Sequence, residues 1–563
     1  MKRLFIFIFI FGTVISQSNA QGFQWAKQFD GEGNSSSYTL VQSPSGELYV
    51  AGSFEGTIDF DPGEETFFIT SYGDRDVYVT KMDASGNFIW AKQIGGTEID
   101  YCRRIALDPS GNLYVTGSFK GTADMDPGEE VYNLTSVGGN DMYVTQLDEN
   151  GNFMWAGQMG GSLDDNCTDI KIPPSGDIYI AGYFLGTADF DPNNTSEYYL
   201  TASNQAVFVE KLSSNHTLLW AGTMGGPGFD YCQSMCLDED ENICTTGMFM
   251  GPADFDPGET IFMLDSDGDR DVFISKLNSD GEFVWAKQMG GPLLEAGQGI
   301  DADDNGNIYL SGNFQGTVDF STNETPFILT SFGDYDIFNG KLDADGNLLW
   351  MKQMGGLNNQ SSYAMAIDNS GNSYVTGLFE GTADFNPGEE IYEMTSFGDY
   401  DIFVTKLDVS GNFVWAADIG GTELDRGLSI IADDQENIYT SGYFTGTADF
   451  DPSDNNYNLT ANGDYNTFVL KLDTDILGID SKAVNVAVKL FPNPVNQGFQ
   501  IDFENILSEV RVVIFNTYGQ QIYNKQHFGE NKITIDLNGS NGLYFVKLIS
   551  KDAKFDVLKI IKQ

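Results

Sequence analysis

The chain has 563 residues, with 82 Asp or Glu against 29 Lys or Arg and a formal net charge of −53 at pH 7. So acidic a surface repels nucleic-acid phosphates and anionic lipid, which excludes both as partners. With only two histidines, His216 and His527, neither a Ser-His-Asp set nor a His-rich zinc site can be assembled, and catalysis finds little support.

Residues 1–20 read as a secretory signal peptide: Lys2 and Arg3, an apolar run over 4–15, then the small residues Ser18, Asn19 and Ala20. Cleavage is expected between Ala20 and Gln21. The apolar run is below the roughly 20 residues that span a bilayer, and no later segment comes close, so no transmembrane segment is expected.

From residue 21 to 473 the chain is periodic. Trp25, Trp90, Trp155, Trp220, Trp285, Trp350 and Trp415 recur every 65 residues without insertion or deletion. The tetrapeptide around Tyr49 keeps the same register at Tyr114, Tyr179, Tyr309, Tyr374 and Tyr439, with Cys244 standing in once. A fixed long period marks a repeat architecture whose units bury their apolar faces on one another.

Within one unit the pattern predicts four strands near residues 104–108, 113–119, 142–148 and 153–159, joined in pairs by Asp-x-x-Gly-Asn turns. There the Asp carboxylate accepts backbone N–H groups and Gly supplies a positive φ. The last unit stops after 467–473, with Asp480 where its tryptophan should stand, while a surplus tryptophan strand, 23–29, opens the chain. The N-terminal strand is therefore expected to complete the final sheet of an all-β, seven-bladed β-propeller, removing exposed edges. The tryptophans are read as core residues between blades.

The segments 404–421 and 371–377 carry the pattern "VTKLDxxGNxxWxxxxGG" and "GNxYVTG". On these motifs the region resembles the bacterial β-propeller repeat family. That likeness implies the fold and little about function, since propellers host enzymes, lectins and scaffolds alike.

Each unit carries a variant of "GTADFDPGEE" after its second strand. Its acids, Asp59 with Asp61, Asp124 with Asp126, Asp189 with Asp191, Asp254 with Asp256 and Asp449 with Asp451, place two oxygens on one side of an extended segment while Phe60 packs inward. Ca²⁺ favours such oxygen ligands, so calcium is a candidate cofactor. Capping of turn N–H groups is the alternative. A further Asp pair, such as Asp74 and Asp76 or Asp399 and Asp401, precedes the third strand in most blades.

After the Gly-Gly that ends each blade stand Asp100, Asp165, Asp230, Glu295 and Asp425, with Ser35 and Gln360 completing the ring. Position puts them at the channel mouth, as candidate binding residues or as loop caps. Cys102, Cys167 and Cys232 share one repeat position with Ser37, Gly297, Ser362 and Gly427, a site that takes only small side chains. Cys236 and Cys244 lie on the two strands of one hairpin, where a cross-strand disulfide depends on geometry.

After a linker at 474–483 the composition changes, and residues 484–563 predict short strands at 510–515, 521–524, 532–537, 543–549 and 556–561, as in a small Ig-like β-sandwich. The tail has nine basic and seven acidic residues and the signal peptide two basic ones, so the segment between them carries about −57. "LFPNP" with Pro492, Asn493 and Pro494, "VVIFNTYGQ" with Gly519, "NGLYFVKL" with Gly542, and a terminal "KIIK" with Lys559 are similar to the type A C-terminal sorting domain of type IX secretion substrates. This resemblance implies delivery by the type IX machinery to the outer-membrane surface or beyond, with tail removal and attachment to surface lipopolysaccharide as recurrent features. The combined reading is an exported, non-catalytic binding or adhesion module for a glycan or protein. A polysaccharide-degrading enzyme using channel-mouth carboxylates, or a structural spacer, are the alternatives.

Overall fold

Alternating apolar residues between Asp-x-x-Gly-Asn turns leave the backbone one economical solution, an antiparallel sheet per repeat. The structure is a computed structural model and describes residues 22–193, 196–323, 325–453, 455–473, 488–491, 495, 498–516, 521–537, 542–549 and 558–562. The signal peptide with Ala20 and Gln21, the linker, and Pro492, Asn493, Pro494 and Gly519 lie outside the described residues. Every described regular element is a strand, and neighbouring strands pair antiparallel.

One repeat illustrates all. Tyr101–Leu107, Leu113–Phe119, Asp141–Leu147 and Phe153–Gly161 pair in that order. In the first turn Asp108 Oδ1 accepts the N–H groups of Ser110 and Asn112, and Gly111 takes φ +84°. The two middle strands are buried along their whole length, because other sheets cover both faces.

The acidic loop is more structured than its sequence suggests. Thr122–Asp124 and Asn133–Thr135 form a short outer hairpin that adds to the preceding repeat, pairing Ala123 with Gly96 and Asp124 with Gly95. Gly96 is required there, since an added Cβ would lie 2.1 Å from the Thr122 carbonyl oxygen.

Residues Phe23–Thr474 form one compact unit. Its innermost strands pack in succession: Asn34–Gln42 on Tyr101–Leu107, then Asn166–Lys171, Tyr231–Leu237, Glu295–Ala302, Gln360–Ile367 and Arg426–Ala432, which returns to Asn34–Gln42. The N-terminal strand Gly22–Gly31 sits between Asn466–Asp473 and Thr57–Asp59 in one sheet. Asn462 Nδ2 donates to Asp30 at 2.8 Å, and the Ser35 N–H to the Tyr465 carbonyl at 3.2 Å. One apolar core accordingly joins Phe29, Phe54, Phe60 and Tyr78 to Tyr439 and Val469, the two extremes of the repeat array.

Cys102, Cys167 and Cys232 are fully buried, and the site is tight: a Cβ on Gly297 would meet Thr246 Oγ1 at 2.1 Å. Cys236 stands directly opposite Cys244, and all five cysteines are free thiols.

The C-terminal strands belong to a second unit, a five-stranded antiparallel sheet. Val488–Phe491 pairs with the long strand Gly498–Asn516, which also pairs with Gln521–Asp536 and Gly542–Ile549, and Leu558–Lys562 closes the edge. The segments predicted at 521–524 and 532–537 are thus one strand, bent by register shifts opposite Asp502/Leu507 and Ile514/Phe515. Val512, Ile514, Ile535 and Val546 centre its core.

Candidate functional site

Asp100, Asp165, Asp230, Glu295 and Asp425 are 0–1% exposed. Each turns back onto the Gly-Gly pair before it. Asp165 accepts the Gly161 N–H at 2.7 Å and the Leu185 N–H at 3.1 Å, and Asp100, Asp230 and Asp425 repeat both contacts. Glu295 reaches the Gly291 N–H at 3.1 Å. Gln360 does the same with its amide, accepting from Gly356 and donating to the Glu380 carbonyl. Burial pushes Asp100, Asp165 and Asp425 up to about 7, Asp230 to about 6 and Glu295 to about 8. These side chains cap strand ends from inside rather than meeting solvent at a mouth.

A second ring of acids, Asp76, Asp141, Asp271, Asp336 and Asp401, is fully buried at the start of the third strands. Asp141 Oδ2 accepts from the Val137 N–H at 3.0 Å and from Gln158 Nε2 at 2.7 Å, while Oδ1 has no partner in any of the five. Asp418 replaces this glutamine in one repeat and hydrogen-bonds Asp401. Burial, then the Asp401 charge, pushes Asp418 up to about 9.

In the acidic loops Asp59 Oδ1 accepts the N–H groups of Asp61 and Phe67 at 3.1 and 2.7 Å, and Asp61 Oδ1 that of Gly63 at 2.8 Å. Asp124 with Asp126, Asp189 with Asp191, Asp254 with Asp256 and Asp449 with Asp451 keep this pattern. Among the described residues no group of three or more His, Cys, Asp or Glu converges so as to hold a metal ion.

All seven innermost strands line a central cavity of about 180 Å³. Four charges project into it: Asp169 Oδ1 lies 3.9 Å from Arg104 Nε and 3.3 Å from Lys171 Nζ, and Asp301 lines the same space. The equivalent positions elsewhere are uncharged, as at Thr39, Gly299 and Ser429.

Beside this cavity runs a chain of arginines and tyrosines that the sequence did not single out. Arg426 lies over Tyr363 and Tyr443, and Tyr443 meets Tyr465 at 5.1 Å between centroids. Arg75 Nη2 donates to the Tyr465 hydroxyl at 2.9 Å and lies over Tyr101. Arg103 spans Tyr101 and Tyr38. These residues are half-buried and come from four repeats. A single unit gives no signal for them, because they stand at repeat positions whose residue changes from unit to unit, as at Tyr38, Arg103 and Tyr363.

Two family models match the chain: the secretion system C-terminal sorting domain over residues 489–563, and the β-propeller repeat over 89–118 and 349–378. The chain is thus an all-β protein with propeller repeats and a type IX sorting domain, exported to the outer-membrane surface or the extracellular space. That domain engages the type IX machinery, and no described helix is long and apolar enough to cross a membrane.

The chain is similar to an uncharacterized WD repeat-containing protein of Acanthamoeba polyphaga mimivirus, 22% identical over 67% of this chain and 32% of that protein. It is 35% identical to an ulvan lyase of Nonlabens ulvanivorans over 16% of this chain and 17% of the lyase. A fungal alcohol oxidase solved with copper superposes with a TM-score of 0.38 at 11% identity, covering 96% of this chain and 99% of its own. The chain spans about a third or less of the length of these curated relatives.

Proposed function

We propose that residues 23–473 close into a seven-bladed β-propeller that acts as a non-catalytic binding or adhesion module at the bacterial surface, with the C-terminal domain, a small Ig-like β-sandwich, supplying delivery. Cyclic packing of seven innermost strands supports the closure. So does the N-terminal strand lying beside Asn466–Asp473.

The observation that carries the binding reading is the Tyr–Arg cluster. The recurring acids beside the Gly-Gly pairs and in the acidic loops cap turns and strand ends, and symmetry alone accounts for them. The cluster breaks that symmetry where several repeats converge, and its groups are suited to recognition: rings that stack and guanidinium forks that hydrogen-bond. Neither group exchanges protons readily near neutral pH. Incubating the full-length protein with a glycan panel tests the reading by two assays, retention and new reducing ends. Retention without products is expected. Product release would replace it with a polysaccharide-degrading enzyme, and neither outcome would leave a structural spacer.

A further inference from the structure

We infer that the Tyr–Arg cluster is a subsite for an acidic polysaccharide, whose carboxylate or sulfate groups are seated by Arg103 and Arg426 while the tyrosines carry the sugar faces. This assignment rests on the binding reading above and names its ligand class.

The distribution of arginine is the first argument. Between residues 23 and 473 there are five: Arg75, Arg103, Arg104, Arg270 and Arg426. Three lie on innermost strands, and Arg75 and Arg270 are bridged to Ile99 and Leu294, just ahead of the next innermost strands. A segment carrying about −57 thus places all its guanidinium groups on the innermost strands or bridged just ahead of them, with Arg104 lining the cavity.

The second argument is what those arginines lack. Arg75 has Glu55 at 3.8 Å and Arg104 has Asp169 at 3.9 Å. Arg103 and Arg426 form no salt bridge among the described residues, although acids outnumber bases 82 to 29 in the chain. Each instead lies between two tyrosines, and the Nε of each is buried without a hydrogen-bond partner. An aromatic face steadies a guanidinium without neutralising it, so the planar edge keeps its donors for a ligand.

A carboxylate or sulfate accepts two parallel N–H groups from such a fork. Flanking half-buried rings present apolar faces with polar rims, the surface a pyranose requires. The strongly negative surroundings oppose any polyanion at long range. Attraction must therefore be local, and a diffuse basic surface cannot imitate it.

The test is affinity electrophoresis of the full-length protein through gels containing alginate, dextran sulfate, neutral dextran or polyglutamate. Retardation by alginate, dextran sulfate or both, with none by dextran, is expected; which of the two acts assigns carboxylate or sulfate. The Arg103→Gln/Arg426→Gln variant, checked for an unchanged melting temperature, should bind on the order of tenfold more weakly. Should that variant melt early, Arg426→Lys, which keeps the charge and loses the fork, should weaken binding in the same direction. Retardation by dextran alone, or an undiminished variant, overturns the acidic ligand and leaves the binding module standing. Retardation by polyglutamate alone points to an acidic protein and overturns the glycan, and no retardation by any probe overturns the inference outright. Reducing ends released from alginate would instead overturn the non-catalytic reading.

Discussion

Gly411 lies under the indole of Trp350, so close that a Cβ on Gly411 would sit 2.9 Å from ring carbon Cδ2. The Trp350 Nε1 donates to the Val409 carbonyl of the same turn at 3.2 Å. Gly151 takes this place beneath Trp90, Gly281 beneath Trp220 and Gly346 beneath Trp285. Trp155 instead stacks on His216 at 3.9 Å, whose φ of 61° adopts the conformation glycine holds elsewhere. In these repeats the turn thus clamps the tryptophan of the repeat before it.

Gly411→Ala should therefore destabilise the protein by about 2 kcal/mol, because the methyl meets the ring and the residue must keep φ +75°. Trp350→Phe keeps most of the packing and loses one hydrogen bond, a cost of about 1 kcal/mol. Urea midpoints at constant slope measure both. Wild-type midpoints for the two variants would mean that the clamp adds nothing.

Both partners of the clamp recur with the period, Trp at one position and Gly at another, but the sequence reads the indoles as core, whereas all except Trp415 are only half-buried and cover a turn. The turns were legible in the sequence, since Asp108 and its copies act within five residues. The candidate site was not. Arg75 and Tyr465 are 390 positions apart and meet only because the ends of the array come together. Asp165 was ambiguous in a different way. Its recurrence beside Gly-Gly fits a binding ring or a loop cap alike, because a cap needed by every repeat recurs just as a ligand site would, and in the structure the carboxylate accepts two backbone N–H groups.

Asp165→Asn should cost about 1 kcal/mol, since an amide retains one acceptor, as Gln360 demonstrates at the equivalent position. Asp165→Ala should cost about 2–3 kcal/mol by leaving the Gly161 and Leu185 N–H groups unsatisfied. Neither should alter retention on a polysaccharide. Lost retention in a folded Asp165→Asn protein would return this acid to the binding site.

The acidic loops separate calcium binding from turn capping. With Asp59 Oδ1 already accepting two N–H groups, Asp59→Ala should cost about 1–2 kcal/mol whether calcium is in excess or removed by EDTA. The wild-type thermal midpoint should likewise be the same in both. A midpoint that rises with calcium and falls with EDTA would assign these oxygens to the ion.

Asp418 gives the protein a pH response of definite sign. Burial and Asp401 hold Asp418 at about 9, and burial holds Asp401 at about 6, whereas an unfolded aspartate titrates near about 3.9. Across that interval the folded pair keeps a proton that the unfolded chain releases. Its stabilising contribution is complete below about pH 4 and is lost as pH rises through about 9. Asp100, Asp165 and Asp425, raised by burial to about 7, add a loss of the same sign that ends earlier. In the turns the effect is reversed: although burial works against it, their donors hold Asp83, Asp148, Asp343 and Asp408 below the usual range, and this support disappears in stronger acid. The thermal midpoint should accordingly peak near about pH 4–5 and decline towards about pH 9. Asp418→Gln restores the donor that Gln158 gives Asp141, so it should raise the midpoint at alkaline pH, flatten the decline above neutrality, and change little at the acidic peak. A lower midpoint in alkali for this variant would show that the Asp401–Asp418 pair is not what makes the fold yield to base.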